Sequence, residues 1–495
     1  MTTDLGPLAS DFVGLETSYR TGRRPRRRHY LDSAATTLMM RTAQDVSLEF
    51  LKHHGNPHTT AHSSARSATA ALHWARDVVR GFLGADDRYT ALFMGAGSTA
   101  CANRLAFSLA RSRPGKPLVL VSSMEHHSND LPHRRHSTVL RVPLATAGQA
   151  PGAVAMDRLE ELLARHSGQV NYVAVTGASN VTGLVNPIHD IAELAHRHGA
   201  LVVVDGAQMV AHMPVRLAQP DPRRDIDAFF FSGHKAYAPG SPGGLVVKTQ
   251  LLAGCTPLEL GGGIVRDVTE SSYALDPDGE VREQAGTPNV TGTVTLAAAL
   301  AALGQVGMEA IQAHEQRLLA HALERLAGVP GLEIYGPTDL AAAPRVGCIS
   351  FNLRHMEHAL VATALNDDFN VSVRDGCFCA HPYVRVLLKE SLQELEIESL
   401  SALEIEHLAE RRRGMVRASF GLYTTETDID ALVDGLAAIG RQEAHYRGRY
   451  DVDAHGARPR NAGAAGGAGA ALFSPQAALE AALGRRRAAV GEPQP

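Results

Sequence analysis

The chain has 495 residues, of which 20% are charged and 44% hydrophobic, and its formal net charge is −4. A chain of this length can bury a large core and, at roughly 100–200 residues per domain, has room for two or three domains. The balanced charge is ordinary for a globular protein and gives no reason to expect a nucleic-acid partner. The bulk values therefore exclude a small module and a strongly basic chain.

Apolar runs and cysteines indicate the cellular compartment of the protein. The first 20 residues hold no apolar stretch long enough for a signal-peptide core, and nowhere do about 18 apolar residues run together. We therefore expect a cytoplasmic protein without membrane contact. The cysteines are odd in number and sparse, unlike a disulfide framework, which leaves room for a working thiol. They are Cys101, Cys255, Cys348, Cys377 and Cys379.

The first half of the chain predicts an α/β fold. From about residue 42 to 248, short β-branched or apolar runs alternate with helix-like stretches, which indicates a mostly parallel sheet with crossover helices. Strands are predicted at 117–122, 172–176, 201–205 and 228–231, with a return hairpin at 244–248. A helix with Trp74, Val78 and Phe82 on one face precedes them, and a helix over 188–198 leads into the third strand.

A second, smaller α+β region is predicted after Gly286. An Ala/Leu-rich helix over 294–303 begins it, strand-like runs at 347–352 and 371–374 follow, and a helix over 429–445 closes it. Leu-Glu-rich sequence between residues 382 and 414 fits a strand by its alternation and a helix by its length and composition. Its type stays open.

The predicted domain limits follow these patterns. Residues 1–29 are an N-terminal extension, 30–290 the large domain, 291–450 the small C-terminal domain and 451–495 a tail. The first segment of the large domain is expected to contribute to the small one. The Gly-, Ala-, Pro- and Arg-rich tail cannot bury enough apolar surface to offset the entropy of ordering. We expect it to be disordered, with room for a short helix over 475–485.

The most informative motif is FFSGHK, residues 230–235, at the end of an apolar strand and before a glycine-rich turn. Open α/β folds bind ligands at the carboxyl edge of the sheet, where this motif delivers Lys235. A desolvated lysine there is a nucleophile of the kind that Schiff-base chemistry requires. A lone lysine after a strand is more often a surface residue, so the motif depends on its neighbours.

Three motifs upstream add to this lysine. Asp205 ends the apolar run LVVVD and suits the pyridine nitrogen of pyridoxal 5′-phosphate (PLP), although such acids are more often helix caps or metal ligands. Ser98 and Thr99, in GAGST before a helix-like stretch, form with the glycines a cradle for a phosphate. His126, in MEHHSN, follows a strand and can stack on a ring and move protons, the alternatives being a metal pair or solvent-facing histidines.

In this chain order, the motifs resemble the cysteine desulfurase and selenocysteine lyase branch of the class V aminotransferase-like PLP enzymes. The resemblance covers about residues 30–439 and implies a PLP-dependent transferase of fold type I. It also implies a homodimer with an active site shared between subunits. Further matching stretches are YLDSAATT at 30–37, GNPH at 55–58, SNVTG at 179–183, GTPN at 286–289 and VRAS at 416–419.

The resemblance also implies roles for single residues. Lys235 resembles the lysine that holds PLP as a Schiff base, His126 the histidine stacked on its ring, and Asp205 the partner of its pyridine nitrogen. Gln208 resembles the donor to the phenolic oxygen, and Asn180 a contact to substrate or cofactor. The implied phosphate ligands are Ser98, Thr99, Ser232 and His234, with Thr287 reaching over from the second subunit.

Two stretches of the C-terminal half concern the substrate. Arg417 resembles the residue that clamps the substrate carboxylate, a task suited to a bidentate guanidinium fork, and Arg374 is the first substitute for it. In VRDGCFCAHP, residues 373–382, Cys379 aligns with the family's catalytic cysteine, whose thiolate would attack the sulfur of bound cysteine. Other interpretations are two structural cysteines or a Cys-X-Cys-X-His metal half-site, for which no partner ligands are evident, so no metal is expected.

Three features depart from the family pattern. Ala100 stands where many relatives have Glu, and Asp375 and Cys377 replace a Ser/Thr and a His or small residue. Cys379 and Arg417 lie 38 positions apart, which is longer than the resemblance implies. The extra Leu-Glu segment between them suits a lid or a docking surface.

The sequence thus predicts a PLP-dependent cysteine desulfurase. Sulfur would leave L-cysteine as a persulfide on Cys379, alanine would be released, and a sulfur-acceptor protein would be a further partner. Lys235, Cys379 and His126 are the predicted catalytic residues. The alternatives are an aminotransferase, epimerase or lyase acting on another amino acid, with Cys379 a bystander, and an inactive binding protein, against which the retained Lys235 and Asp205 argue. A preference between cysteine and selenocysteine stays open.

Overall fold

The computed structural model describes most of the chain. The described residues are 5–21, 24–146, 152–253, 255–388, 414–453, 456–460 and 473–489. In chain order, their strands are β1 Ser18–Thr21, β2 Arg24–Arg27, β3 His29–Tyr30, β4 Tyr89–Met94, β5 Leu118–Ser122, β6 Thr138–Val142, β7 Val170–Thr176, β8 Leu201–Asp205, β9 Ala228–Ser232, β10 Gly243–Lys248, β11 Val265–Val268, β12 Tyr273–Leu275, β13 Leu332–Tyr335, β14 Cys348–Leu353, β15 Val371–Ser372, β16 Arg374–Gly376, β17 Met415–Ser419, β18 Tyr450–Asp453 and β19 Gly456–Pro459.

Helices cover both faces of the main sheet and the outside of a smaller one. In chain order, the described α-helices are α1 Arg41–Leu51, α2 Ser63–Phe82, α3 Gly97–Ser112, α4 Leu131–His136, α5 Met156–Arg165, α6 Ile188–Arg197, α7 Gly279–Arg282, α8 Val290–Val306, α9 Met308–Ala327, α10 His358–Phe369, α11 His381–Leu387, α12 Glu426–Arg441, α13 Glu443–Arg449 and α14 Pro475–Ala489.

A seven-stranded sheet carries the larger part of the fold. Its strand order is β4-β10-β9-β8-β7-β5-β6, and β5 to β9 are parallel neighbours, while β10 runs antiparallel to β9 and β4. β7 and β9 are buried along their whole length because both sheet faces are covered, which is why they read as continuous apolar runs. Phe229 and Phe231 pack into the core of one face, Phe230 into that of the other. The predicted α/β sheet is confirmed, and β4 and β6 complete it.

The helix predicted before the sheet is α2, and Val78 and Phe82 of its predicted apolar face pack against the core, but Trp74 does not. Trp74 is 40% exposed, whereas Ala68, Leu72 and Ala75 are buried. Close packing against the sheet thus buries the smaller residues of α2 completely and leaves its one tryptophan at the edge of the contact.

A four-stranded antiparallel sheet with the order β13-β14-β17-β16 forms the smaller part. α9, α10 and α12 contribute to its core, in which Phe351 and Val416 are fully buried. β3 pairs in parallel with β15, and Leu31 belongs to this same core. The segment around β3 therefore packs with the small sheet.

Several predicted boundaries shift in the structure. The strand predicted at 371–374 is two short strands, β15 and β16, and the last predicted helix breaks at Gln442 between α12 and α13. The predicted domain limit at 290 falls at the start of α8, and Leu296 and Leu300 of that helix pack in the core of the large sheet.

The C-terminal tail was expected to be disordered from residue 451, but its described parts are regular. β18 pairs with β19, and α14 covers and extends the short helix proposed for the tail. The glycine-rich run at 463–471 and most of the Leu-Glu segment, 389–413, lie outside the described residues. No single helix in the described ranges is long and apolar enough to cross a membrane; only α8 and α9 together pass that test, and they are bent by 80°.

Candidate active site

The carboxyl ends of β7, β8 and β9 open into a cavity of about 320 Å³. This is the edge at which open parallel sheets bind ligands. Except for Thr287, every predicted site residue lines the cavity. The full lining is Ala34, Ala35, Ala96, Ser98, Thr99, His126, Ser128, Thr176, Asn180, Asp205, Ala207, Gln208, Ser232, His234, Lys235, Arg374, Asp375, Phe378, Cys379 and Arg417.

Lys235 ends a short 3-10 turn, Gly233–Lys235, directly after β9. The carbonyl of His234 accepts hydrogen bonds from Thr37 N at 2.9 Å and from the Thr36 and Thr37 hydroxyls, so the N-terminal AATT stretch holds the turn. Burial lowers the pKa of Lys235 to about 8, against the opposing effect of Asp205. A substantial neutral fraction near physiological pH makes this amine a competent nucleophile and base.

Asp205 ends β8 beside this turn and is 4% exposed. Its Oδ1 accepts a hydrogen bond from Ala207 N at 3.0 Å, and no cation pairs with it among the described residues. Burial raises the pKa of Asp205, while the Ala207 N–H and Lys235 act in the opposite direction. A buried carboxylate at a cavity wall without a cation is suited to a cationic or N–H-bearing ligand.

The start of α3 forms a cradle for an anion. Ser98 N donates to Ser232 Oγ at 2.9 Å, the hydroxyls of Ser98 and Ser232 lie 2.8 Å apart, and Thr99 Oγ1 lies 2.7 Å from Ser128 Oγ. The positive end of the helix dipole and its free N–H groups add to these hydroxyls. Ser128 was not predicted, although it lies only two residues after His126.

Two glycines permit this cradle to form. Gly97 has φ of +59°, and a Cβ there would lie 2.7 Å from Ser232 Oγ. A Cβ on Gly243 of β10 would lie 2.5 Å from the Gly97 carbonyl carbon. The loop before α3 therefore approaches β9 and β10 closely only because both positions lack a side chain.

His126 follows β5 and is neutral in this cavity. Its Nδ1 accepts a hydrogen bond from Ser128 N at 3.1 Å, so Nε2 carries the proton. Burial, and then the charge of Lys235, lower the pKa of His126 to about 3. A neutral ring with one free N–H suits stacking on an aromatic ligand.

Glu125, for which no role was predicted, is buried directly behind His126. Its carboxyl accepts hydrogen bonds from Thr176 N at 2.8 Å and Asn129 Nδ2 at 2.6 Å, and burial raises its pKa to about 8. It therefore ties the loop of His126 to the end of β7. The sequence around Glu125 shows only an acidic residue before two histidines, which does not indicate a buried structural role.

Arg417 is 2% exposed in β17, and its neighbours hold it in place. Its Nη1 donates to Asn180 O at 2.9 Å, its Nη2 lies 3.3 Å from Asp32 Oδ1, and its Nε has no hydrogen-bond partner in the described part of the chain. Arg374 is its direct neighbour across the β16–β17 pair. Two like charges side by side repel each other, and a carboxylate bound between them would offset this repulsion.

Asn180 and Gln208 line the cavity, but each also serves the main chain. Asn180 Nδ2 donates to Phe378 O at 2.8 Å, and Gln208 Nε2 donates to Ala34 O at 2.8 Å. An amide NH₂ has two hydrogens, so each residue keeps a donor for a ligand.

The two neighbouring cysteines differ in place. Cys379 is exposed and lines the cavity, whereas Cys377 is half-buried and does not line it. They belong to the cysteine loop, residues 376–380, in which Phe378 and Cys379 have φ of +53° and +54°. Each non-glycine residue in this left-handed region costs roughly 1–2 kcal/mol, so surrounding contacts must hold the loop. The Arg417 guanidinium lies over the Phe378 ring, 4.7 Å from its centroid.

Thr287 lies outside the cavity of its own chain. It accepts a hydrogen bond from Asn56 Nδ2 at 3.3 Å, and His58 Nε2 contacts Gly286 O at 3.1 Å, so the GNPH and GTPN motifs meet each other. This is the arrangement expected if Thr287 serves another subunit. No group of three or more metal-ligating side chains is arranged for a metal ion within the described ranges.

Comparisons with known proteins agree with the geometry. The family described as aminotransferase class-V matches residues 29–432. A cysteine desulfurase of Dickeya dadantii is 35% identical over 83% of this chain and 92% of its own length, and one of Escherichia coli O127:H6 is 34% identical over 83% and 93%.

Solved structures show the same fold. A cysteine desulfurase of Escherichia coli, CsdA in an S-sulfonic acid form, superposes with a TM-score of 0.69 at 28% identity, covering 88% of this chain and 98% of that one. The cysteine desulfurase of Thermococcus onnurineus NA1, in an apo structure, gives 0.70 at 26% identity, covering 83% and 94%. The architecture is fold type I of the PLP-dependent transferases. By sequence, fold and cavity, the chain belongs to the class-V aminotransferase family, among relatives named cysteine desulfurases.

Proposed function

We propose that this protein is a PLP-dependent cysteine desulfurase, which takes sulfur from L-cysteine onto Cys379 and releases alanine. The observation that carries the proposal is one cavity lined by an amine, Lys235, a thiol, Cys379, and two guanidinium groups, Arg417 and Arg374. The relatives of this chain that are named cysteine desulfurases support it.

The residues of the cavity fit PLP. The start of α3 with Ser98, Thr99, Ser232 and His234 would take the phosphate, with Thr287 of a second subunit beside it. Asp205, a buried carboxylate that no cation of the described residues pairs with, would receive the pyridine nitrogen, and Gln208 would donate to the phenolic oxygen. The neutral His126 would stack on the ring. When bound, PLP supplies an electron sink for the electrons released at the substrate Cα.

The chain's own residues orient and deprotonate the substrate. Arg417 and Arg374 would hold the carboxylate, and Asn180 would contact substrate or cofactor from the same wall. Lys235 Nζ, with its pKa lowered to about 8, is neutral often enough to take the Cα proton.

Cys379 performs the sulfur step. Its Sγ, as the thiolate, attacks the substrate sulfur: an S–S bond forms, the Cβ–S bond breaks, and the electron pair of that bond stays on the carbon side, where Cβ takes up a proton. The sulfur remains on Cys379 as a persulfide, and the substrate carbon skeleton leaves as alanine after reprotonation. Because Cys379 is exposed, an acceptor protein or a small thiol can then reach the persulfide.

We also infer a homodimer in the cytoplasm. The position of Thr287 away from its own cavity supports the dimer, since the phosphate site would otherwise lack this residue. The sparse and odd number of cysteines, unlike a disulfide framework, supports a reducing compartment.

One assay tests the reaction. Purified protein is incubated with L-cysteine and a reducing thiol, and alanine and sulfide are measured together. We expect them in equal amounts. Consumption of cysteine without sulfide, or turnover of other amino acids only, would favour an aminotransferase, epimerase or lyase.

A further inference from the structure

Two histidines stack beside the cysteine loop. The rings of His127 and His381 lie 4.8 Å apart at an interplanar angle of 10°, and His127 Nε2 lies 3.0 Å from His381 Nδ1. The main-chain N–H of the same His127 donates to Cys379 O at 2.7 Å. One residue therefore contacts both the main chain of Cys379 and the side chain two positions later.

The proton positions in this pair follow from a third contact. His381 N donates to His127 Nε2 at 3.4 Å, so this ring nitrogen is an acceptor and carries no proton. The proton between the rings therefore sits on His381 Nδ1. The ring of His127 is therefore neutral in this arrangement.

The loop needs such support at Cys379. Phe378 is fixed by Asn180 at its carbonyl and by Arg417 over its ring. Cys379 has the same left-handed backbone conformation. Among the described residues, its main chain is held by the hydrogen bond from His127 N to Cys379 O. A strained conformation persists only where its surroundings determine it.

We propose that His381 is a positioning residue for Cys379: by pairing with the ring of His127, it fixes the His127 main-chain bond to Cys379 and so holds the thiol toward the cavity. The role of His381 in catalysis rests on the proposed function, whereas the contacts of His127 with His381 and Cys379 are independent of it.

The pairing is sensitive to acid. Protonation of His127 would place a hydrogen on Nε2, which would then face the N–H groups of His381 N and Nδ1. Because all three groups would be donors, the contact between the two histidines would break. Burial and the neighbouring His381 lower the pKa of His127, Arg134 adds to this, and Asp130 opposes it. His126, the next aromatic ring, stays neutral because its own pKa is lowered further. The loop should therefore loosen only below the usual range of histidine titration.

Hydrogen exchange on the intact protein, with its cofactor bound, measures the contact directly. In His381→Ala we expect the His127 amide to exchange at least about tenfold faster than in the wild type. His381→Asn keeps a donor near the position of Nδ1 and should restore protection. Arg385→Ala, an exposed change on the same helix α11, is the matched control and should leave exchange unchanged.

Kinetics and pH complete the test. In His381→Ala, kcat for sulfide release should fall about tenfold or more while KM for cysteine holds, because the carboxylate clamp is untouched. In the wild type, protection of the His127 amide, corrected for intrinsic exchange, should fall under acid conditions, and in His381→Asn this fall should weaken.

The inference would be overturned if the His127 amide in His381→Ala were as well protected from exchange as in the wild type. It would also be overturned if Arg385→Ala lost as much protection as His381→Ala. Should His381→Ala not fold, His381→Asn and the wild-type pH profile decide, and a protection that does not change with acid counts against the pairing. Failure of the proposed function shows differently: the wild type would then release no sulfide from L-cysteine, or Cys379→Ser would release it at the wild-type rate, whatever the exchange of the His127 amide.

Discussion

The two sides of the cavity are built in different ways. The wall that carries Lys235 and Asp205 consists of the ends of buried parallel strands, and several main-chain hydrogen bonds fix the turn of Lys235. The cysteine loop exposes Cys379 between two buried residues, holds two consecutive left-handed residues and depends on a few separate contacts. Packing thus preorganises the side that would bind the cofactor, whereas single side chains decide where the thiol points.

The sharpest test of the wall is Lys235→Ala. We expect the purified wild type to be yellow from bound cofactor, and the variant to lose or shift this visible band and to lose sulfide release altogether, because Lys235 is the one side-chain amine that the described residues bring to the cavity. Arg385→Ala should behave as the wild type. An unchanged spectrum with full activity would show that another residue holds the cofactor.

The matching test of the loop compares its two cysteines. Cys379→Ser should keep the cofactor spectrum and still bind cysteine but release almost no sulfide, because the nucleophile that lines the cavity is lost. Cys377→Ser is the matched control and should keep most of the activity. If both variants process an amino acid at the wild-type rate, the thiol has no part in the reaction.

A smaller effect is expected where loop and wall meet, at Arg417. Replacement by Ala removes charge-assisted hydrogen bonds worth about 1.5–3 kcal/mol each, so KM for cysteine should rise at least tenfold. Arg417→Lys keeps the charge, but without the fork it should recover only part of the affinity. An unaltered substrate dependence in both variants would move the clamp to Arg374.

The smallest effect concerns the stability of the wall without cofactor. Burial lowers the pKa of Lys235 from 10.5 to about 8, so at pH 7 the folded apoprotein holds a disfavoured ammonium. Lys235→Met should raise the free energy of unfolding of the apoprotein by about 1–3 kcal/mol at this pH. The gain should shrink between about pH 8 and 10.5, where the folded wild type loses its proton before the unfolded chain does. Chemical denaturation at both ends of this range measures it, and a gain that does not change with pH would contradict the cause.

Much of the fold was predictable because its signals are local. Continuous apolar runs such as 201–205 and 228–231 belong to strands buried on both faces, and each delivered its polar end residue, Asp205 or Lys235, to the same edge. The predictions failed where packing overrides the local pattern: Trp74 is exposed although Val78 and Phe82 of the same predicted helix face pack against the core, and the tail beyond residue 451 holds a hairpin and a helix in its described parts.

For the site, too, local sequence signals were predictable and long-range contacts were not. Motif order named twelve residues that line one cavity, but Ser128, Glu125 and Asp32 were given no role, because their importance comes from contacts with residues far away in the sequence.

By itself, the sequence determined the α/β class, the order of the motifs and the chemical types of the site residues, because strand and turn signals depend on neighbours along the chain. The family alignment pointed to Cys379, but only the tertiary structure showed that Cys379 is exposed at the cavity while Cys377 is half-buried, because the two cysteines are of the same residue type and differ in backbone conformation. The tertiary structure alone also brought His127 against His381, 254 positions apart, because such a contact arises only when two distant elements pack.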